Sequence, residues 1–190
     1  MKILRYTLSV VMMSLSTLAF AQSDMHKPVD TPTQSAAQKS FATMKTFAGE
    51  WEGAVTVQEM PAMNDGKPMH LSLRVTSRGN AVVHEFQEAN TPLDASKFDH
   101  PVTMLYVDGE QLHLVHYCDA GNRPHMTGKM SPDGKTVEFA LADVSGSTKR
   151  GHMQHAVFTY IDATHHTEDW TFMMPGDKPM HAHFDLHRVN

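Results

Sequence analysis

Three short pairs in this chain join side chains that a plain core does not need: His116 with Cys118, His166 with Glu168, and His181 with His183. An imidazole beside a thiol is a base–nucleophile pair, and an imidazole beside a carboxyl group is an acid–base pair. Two imidazoles at i and i+2 on a strand share a face and can chelate Zn or Cu, and His116 with Cys118 repeats that geometry with a softer ligand. The sequence is rich in such donors, with 14 histidines, 15 methionines and a single cysteine. Met60, Met63, Met69, Met173, Met174 and Met180 bring further soft ligands near two turns. No nucleophile elbow, phosphate loop or zinc-protease helix is present. An isomerase or thiol-dependent enzyme would have to be built from the pairs alone, with a third partner from elsewhere, because i,i+2 groups on a strand rarely bond directly.

The pairs acquire meaning from the faces they occupy. Successive side chains of a strand point to opposite sides. In Gln111–Cys118 the apolar face is Leu112 and Leu114, and it continues to His116 and Cys118. In His165–Met173 the aromatic residues Trp170 and Phe172 put His166 and Glu168 on the inner side. Val82 and Phe86 flank His84 in the same way. In the last strand Met180, Ala182, Phe184 and Leu186 form one face ending at Arg188, so His181, His183, Asp185 and His187 face solvent. Burying an ionised carboxylate or an unpaired imidazole costs on the order of several kcal/mol. Glu168, His166, His116 and His84 are therefore expected to meet each other, Arg74 or Arg188, water, or a ligand.

The supporting elements read mainly as β-structure. From Ala37 to Ala48, Phe41, Met44 and Phe47 recur at three-residue spacing, which predicts one short helix. Turn signals then punctuate the chain roughly every 11–16 residues, including Asn64-Asp65-Gly66, Asp108-Gly109, Pro132-Asp133-Gly134 and Pro175-Gly176-Asp177. About ten strand-like runs lie between them, which predicts an all-β, antiparallel up-and-down barrel closed to remove its edges. A two-sheet sandwich fits the same pattern. The tetrapeptide Lys-Pro-Met-His occurs twice, at residues 67–70 and 178–181, at two similar turn-to-strand junctions. Asn122 reads as a turn residue tolerating left-handed geometry.

The N-terminal residues carry Lys2 and Arg5, an apolar stretch from Leu8 to Phe20, and small residues at Ala19 and Ala21. This predicts a secretory signal over residues 1–21, cut before Gln22, followed by a polar lead-in over 22–36 and a single barrel domain over 37–190. Signal removal takes away two positive charges and no negative one, so the formal balance of −5 becomes −7. A mildly acidic surface argues against nucleic acid or an anionic membrane as partner. No cysteine stands at the cleavage site to carry a lipid anchor, and no later segment approaches the ~20 apolar residues of a spanning helix. The mature protein is expected in the periplasm or secreted, where Cys118 cannot close a disulfide within the chain.

The run Phe47-Ala48-Gly49-Glu50-Trp51-Glu52-Gly53, a helix running into G-x-W-x-G, resembles the opening of the lipocalin-like barrels, the calycins, including the nitrobindin type. That resemblance implies that Trp51 closes one end of the barrel and that Arg188, near the C-terminus, packs across it. His116-Tyr117-Cys118 through Gly121-Asn122, Pro124 and Met126 resembles the H-Y-C-x-x-G-N-x-P-x-M segment of a group of exported bacterial barrels, and Glu168-Asp169-Trp170-Thr171 resembles their E-x-W-T. The haem-binding nitrobindins imply an axial histidine near the last strand, with His181, His183 or His187 as the available positions.

Together these readings describe an exported barrel binding a small, partly apolar molecule, with His84, His116, Cys118, His166 and Glu168 lining its cavity. The alternatives are a periplasmic copper, zinc or haem protein, with His181 and His183 as metal ligands, and an enzyme using the same cavity. In the plainest reading His116, Cys118 and Glu168 form a closed hydrogen-bond network that fixes strand register, Cys118 is a small buried hydrophobe, and His181 and His183 are merely solvated.

Overall fold

A capping box sets where the first element begins: the Ser35 hydroxyl accepts from the Gln38 backbone N–H at 3.2 Å, and the Gln38 side-chain Oε1 accepts from the Ser35 backbone N–H at 2.9 Å. Helix α1 (Ala36–Thr46) follows and buries Phe41 and Met44 against the barrel. The computed structural model describes residues 34–189, so the expected leader and all but the last residues of the lead-in lie outside the described residues.

Ten strands complete the chain: β1 (Gly49–Val57), β2 (Met69–Thr76), β3 (Ala81–Glu88), β4 (Val102–Asp108), β5 (Gln111–Tyr117), β6 (Arg123–Met130), β7 (Thr136–Ser145), β8 (His152–Asp162), β9 (His165–Met174) and β10 (Lys178–Arg188). Each pairs antiparallel with its sequence neighbours, and β1 pairs with β10, giving a closed up-and-down barrel. Closure satisfies both edge strands and rules out the sandwich. Alternation then sends Leu71 and Leu73, Leu112 and Leu114, and Ala156 and Phe158 inward in facing pairs.

Some local details shape the barrel beyond its strand order. β1 stops at Val57, and Pro61–Met63 form a 3₁₀ turn, because Pro61 has no N–H to give a ladder. β5 ends at Tyr117, so Cys118 follows the strand instead of belonging to it. Asn122 does not adopt the left-handed region, where Gly121 sits with φ +76°. Asn122 is instead buried, and its amide donates to the Ser147 and Gly151 carbonyls at 2.9 and 2.7 Å, tying the start of β6 to the β7–β8 hairpin.

One end of the barrel is plugged. Trp51 is fully buried, its indole N–H donates to the Phe47 carbonyl at 2.8 Å, and the Arg188 guanidinium lies 4.2 Å from its ring. The same guanidinium donates to the carbonyls of Ala48, Ala163 and Thr46 at 2.8, 2.9 and 3.3 Å. Both glycines of the opening motif are required by this closure. A Cβ on Gly49, at φ +146°, would sit 2.1 Å from the Arg188 guanidinium, and one on Gly53 would sit 1.7 Å from the Asp185 carbonyl oxygen across the β1–β10 seam.

Candidate functional site

The other end of the barrel holds a cavity of about 360 Å³. Its wall is largely apolar: Phe86 from β3, Met153 from β8, Phe172 from β9, and Ala182 and Phe184 from β10. Met69 and Met180 also line it, which gives the repeated tetrapeptide a structural meaning. In both copies Met turns inward and His turns outward to a glutamate, His70 to Glu50 at 2.9 Å and His181 to Glu59.

The polar groups of the wall are His116 and Cys118, with Asp99 and Asp119 beside the thiol. His116 is 3 % exposed, and Thr103 Oγ1 on β4 holds its Nδ1 at 2.8 Å. Burial, with a smaller contribution from His84, pushes its pKa down to about 3, so the ring is neutral at ordinary pH. Thr103 fixes the ring's orientation, and among the described residues Nε2 has no hydrogen-bond partner. Cys118 is half-buried at the rim, where the cavity adjoins a second hollow of about 450 Å³ walled by residues 95–100 and 117–119. Burial raises the thiol's pKa, and Asp99 and Asp119 add to the shift. Cys118 is therefore a protonated thiol rather than an activated nucleophile.

Below Trp170 lies a second polar group that the cavity does not reach. Glu168 is fully buried and accepts three N–H donors: His84 Nε2 at 2.9 and 3.2 Å, His166 Nε2 at 3.2 Å and Trp170 Nε1 at 2.9 Å. Burial alone would raise its pKa, but the His84 charge and the hydrogen bonds from both histidines outweigh that and hold the carboxyl at about 2. The carboxylate thus joins β3 to β9 across the barrel and fixes the indole that floors the cavity. His84 Nδ1 and His166 Nδ1 are buried without a hydrogen-bond partner among the described residues, and the His166 ring is packed between Phe47 and Trp51.

Of the five residues expected to line the cavity, His116 and Cys118 do so, while His84, His166 and Glu168 form the separate centre beneath it. The centre also departs from the expectation that i,i+2 groups would not bond: His166 and Glu168 do, because both side chains turn toward the barrel axis, where His84 completes the set. His116 joins Thr103 instead of Glu168, so the closed network expected to include it and Cys118 does not form. Arg74 is exposed and reaches only Glu85, at 3.9 Å. Thr103 and Met153 were not singled out from the sequence, Met63, Met69 and Met180 were read there as soft metal ligands rather than as cavity wall, and Trp170 only as a marker of the inner face.

On the outer face His181 bonds Glu59, and His183 bonds Asp169 at 2.6 Å, so the two imidazoles are engaged in separate pairs. A haem held by a histidine of the last strand does not fit these residues. His181, His183 and His187 project outward from β10, and Met180, Ala182 and Phe184 occupy its cavity-facing positions. The imidazole on the cavity wall comes from β5.

No family model matches the chain, and no curated protein matches it. Among solved structures, the crystal structure of Rv2717c from M. tuberculosis aligns with a TM-score of 0.55 at 15 % identity, covering 80 % of this chain and 98 % of that one. A protein of unknown function from the DUF3598 family of Nostoc punctiforme PCC 73102 aligns at 9 % identity over 83 % of this chain and all of that one, with a TM-score of 0.24. The fold is thus a closed, antiparallel ten-stranded barrel, shared in outline with Rv2717c.

Proposed function

We propose that this protein is an exported barrel that binds a small, largely apolar molecule in its mouth, with one polar atom of the ligand directed at His116. The observation that carries the reading is the cavity of about 360 Å³, apolar on most of its wall and polar at a few fixed points. Ligand sites are typically concave, apolar and about 300–1,000 Å³, with a small number of oriented polar groups. A neutral imidazole held by Thr103 is such a group, because its orientation is set before the ligand arrives. Export rests on the sequence of residues 1–21, and nothing in the barrel itself bears on it.

The test is to purify the mature protein from its native host, extract it with organic solvent, and record mass spectrum, absorption spectrum and metal content. The reading expects a stoichiometric organic molecule that is lost in Ala182→Trp, a change that fills the cavity from β10. Stoichiometric copper or zinc with no organic molecule would sink it, and a Soret band would replace it with haem held from a wall other than β10.

A further inference from the structure

Away from the mouth, the outer face of β9 and β10 brings three metal-ligating side chains to one point. His165 on β9 is the cross-strand partner of His187 on β10, and Asp185 lies two residues before His187 on the same face. Asp185 Oδ1 stands 2.6 Å from His165 Nε2 and 3.6 Å from His187 Nε2, and the two rings stack with centroids 4.3 Å apart. One donor atom from each of the three residues lies within 4.8 Å of the others. The neighbouring cross-strand partners are also acidic: Glu52 faces His187 from β1, and Asp162 faces His165 from β8.

We propose that His165, Asp185 and His187 bind one divalent late first-row cation, Cu²⁺ more tightly than Zn²⁺. Two imidazole nitrogens and a carboxylate oxygen suit these borderline ions, whereas Ca²⁺ and Mg²⁺ prefer all-oxygen sets, and Cu²⁺ leads Zn²⁺ in the general affinity order. Metal–ligand bonds of about 2.1 Å set ligand atoms ~3.4 Å apart in a tetrahedron, so the exposed Asp185 carboxylate, 3.6 Å from His187 but 2.6 Å from His165, needs only to draw back from His165 by just under an ångström. Glu52 is placed to swing in as a fourth ligand, releasing His70, from which it stands 3.5 Å. The donors stand on paired strands rather than loops, so most of the arrangement exists before the ion binds. A bound ion would cross-link β9 to β10 beside Arg188, whose backbone N–H already donates to the Thr164 carbonyl at 2.9 Å.

The proposal is tested on chelator-treated mature protein by calorimetric titration with Zn²⁺ and by Cu²⁺ electron paramagnetic resonance at neutral pH. The expected result is one equivalent bound, weakened about tenfold or more in either His165→Ala or His187→Ala and changed less than about twofold in the His181→Ala, His183→Ala double variant. The Cu²⁺ spectrum should show two nitrogen donors, falling to one in His187→Ala, whose exposed side chain can be removed without opening the core. Equal affinity in wild type, His165→Ala and His187→Ala would overturn the proposal, as would dependence on His181 and His183 or no binding at millimolar metal. That last result would leave the three residues as an ion-paired surface cluster only.

Discussion

The two ends of this barrel are built on opposite rules. At the closed end the donors of the plug itself are answered: Trp51 by Phe47, and Arg188 by three carbonyls and an indole face. Two glycines there leave no space for a Cβ. At the mouth, aromatic and methionine side chains stand around open volume, and His116 is anchored through one nitrogen only. Satisfied, close-packed groups contribute stability, whereas a cavity forgoes dispersion contacts that a filled core would make. The comparison teaches where stability and binding are separated: the Glu168 centre lies between the ends and belongs to the scaffold, although its residue types look like those of a site.

Truncation at the two ends should give the largest difference. Trp51→Ala removes a fully buried indole together with its stacking on Arg188 and is expected to cost about 3–5 kcal/mol, read as a lower urea midpoint. Phe184→Ala at the mouth is expected to cost only about 1–2 kcal/mol, because its ring is half-buried. Equal costs would break the comparison.

The acid limb of stability should come from the interior. Burial lowers the His116 pKa from 6.5 to about 3, so the unfolded chain takes up that proton first, and the stability present above pH 6.5 declines as pH falls toward 3. Glu168, lowered from 4.5 to about 2, contributes stability that is complete above pH 4.5 and lost below it. Between pH 7 and pH 4.5 the loss from His116 is at most about 2–3 kcal/mol. His116→Leu should shrink the difference in urea midpoint between those two pH values. An unchanged difference would place the titrating group elsewhere.

Ala182→Trp should sharpen the contrast from the other side, since it adds an indole to open volume. Stability is expected to shift by less than about 1 kcal/mol while extracted ligand disappears. Cys118→Ser should have the smallest effect, within about 0.5 kcal/mol. The same thiol should react with iodoacetamide more slowly at pH 8 than an ordinary cysteine, as its raised pKa requires.

Parity carried much of the fold and part of the site. Leu112, Leu114 and His116 do face inward together, as do His166, Glu168 and Trp170, because alternation is enforced wherever one face of a strand is buried. Alternation says nothing about which inward groups meet across the barrel. His84 reaches Glu168 over 84 residues of sequence, and that pairing depends on barrel closure rather than on any local spacing. For the same reason His116 could be placed inside but not assigned to Thr103. Cys118 reaches the cavity rim on the same side as His116 although β5 ends one residue before it. The outer cluster was legible only in part: Asp185 and His187 share a strand face, but His165 joins them through the β9–β10 register.

The most direct test uses the two tryptophans as reporters of the two ends. Each indole N–H is hydrogen-bonded, Trp51 to the Phe47 carbonyl and Trp170 to Glu168, so each should give one resolved resonance in a ¹⁵N-edited spectrum, assigned with Trp170→Phe. Decanoate, indole and 1-anilinonaphthalene-8-sulfonate would be titrated in turn into wild type and Ala182→Trp. A mouth that binds small apolar molecules predicts that at least one probe shifts the Trp170 resonance saturably, leaves Trp51 in place, and loses its effect in Ala182→Trp. Both resonances moving together, or neither responding to any probe, would contradict it.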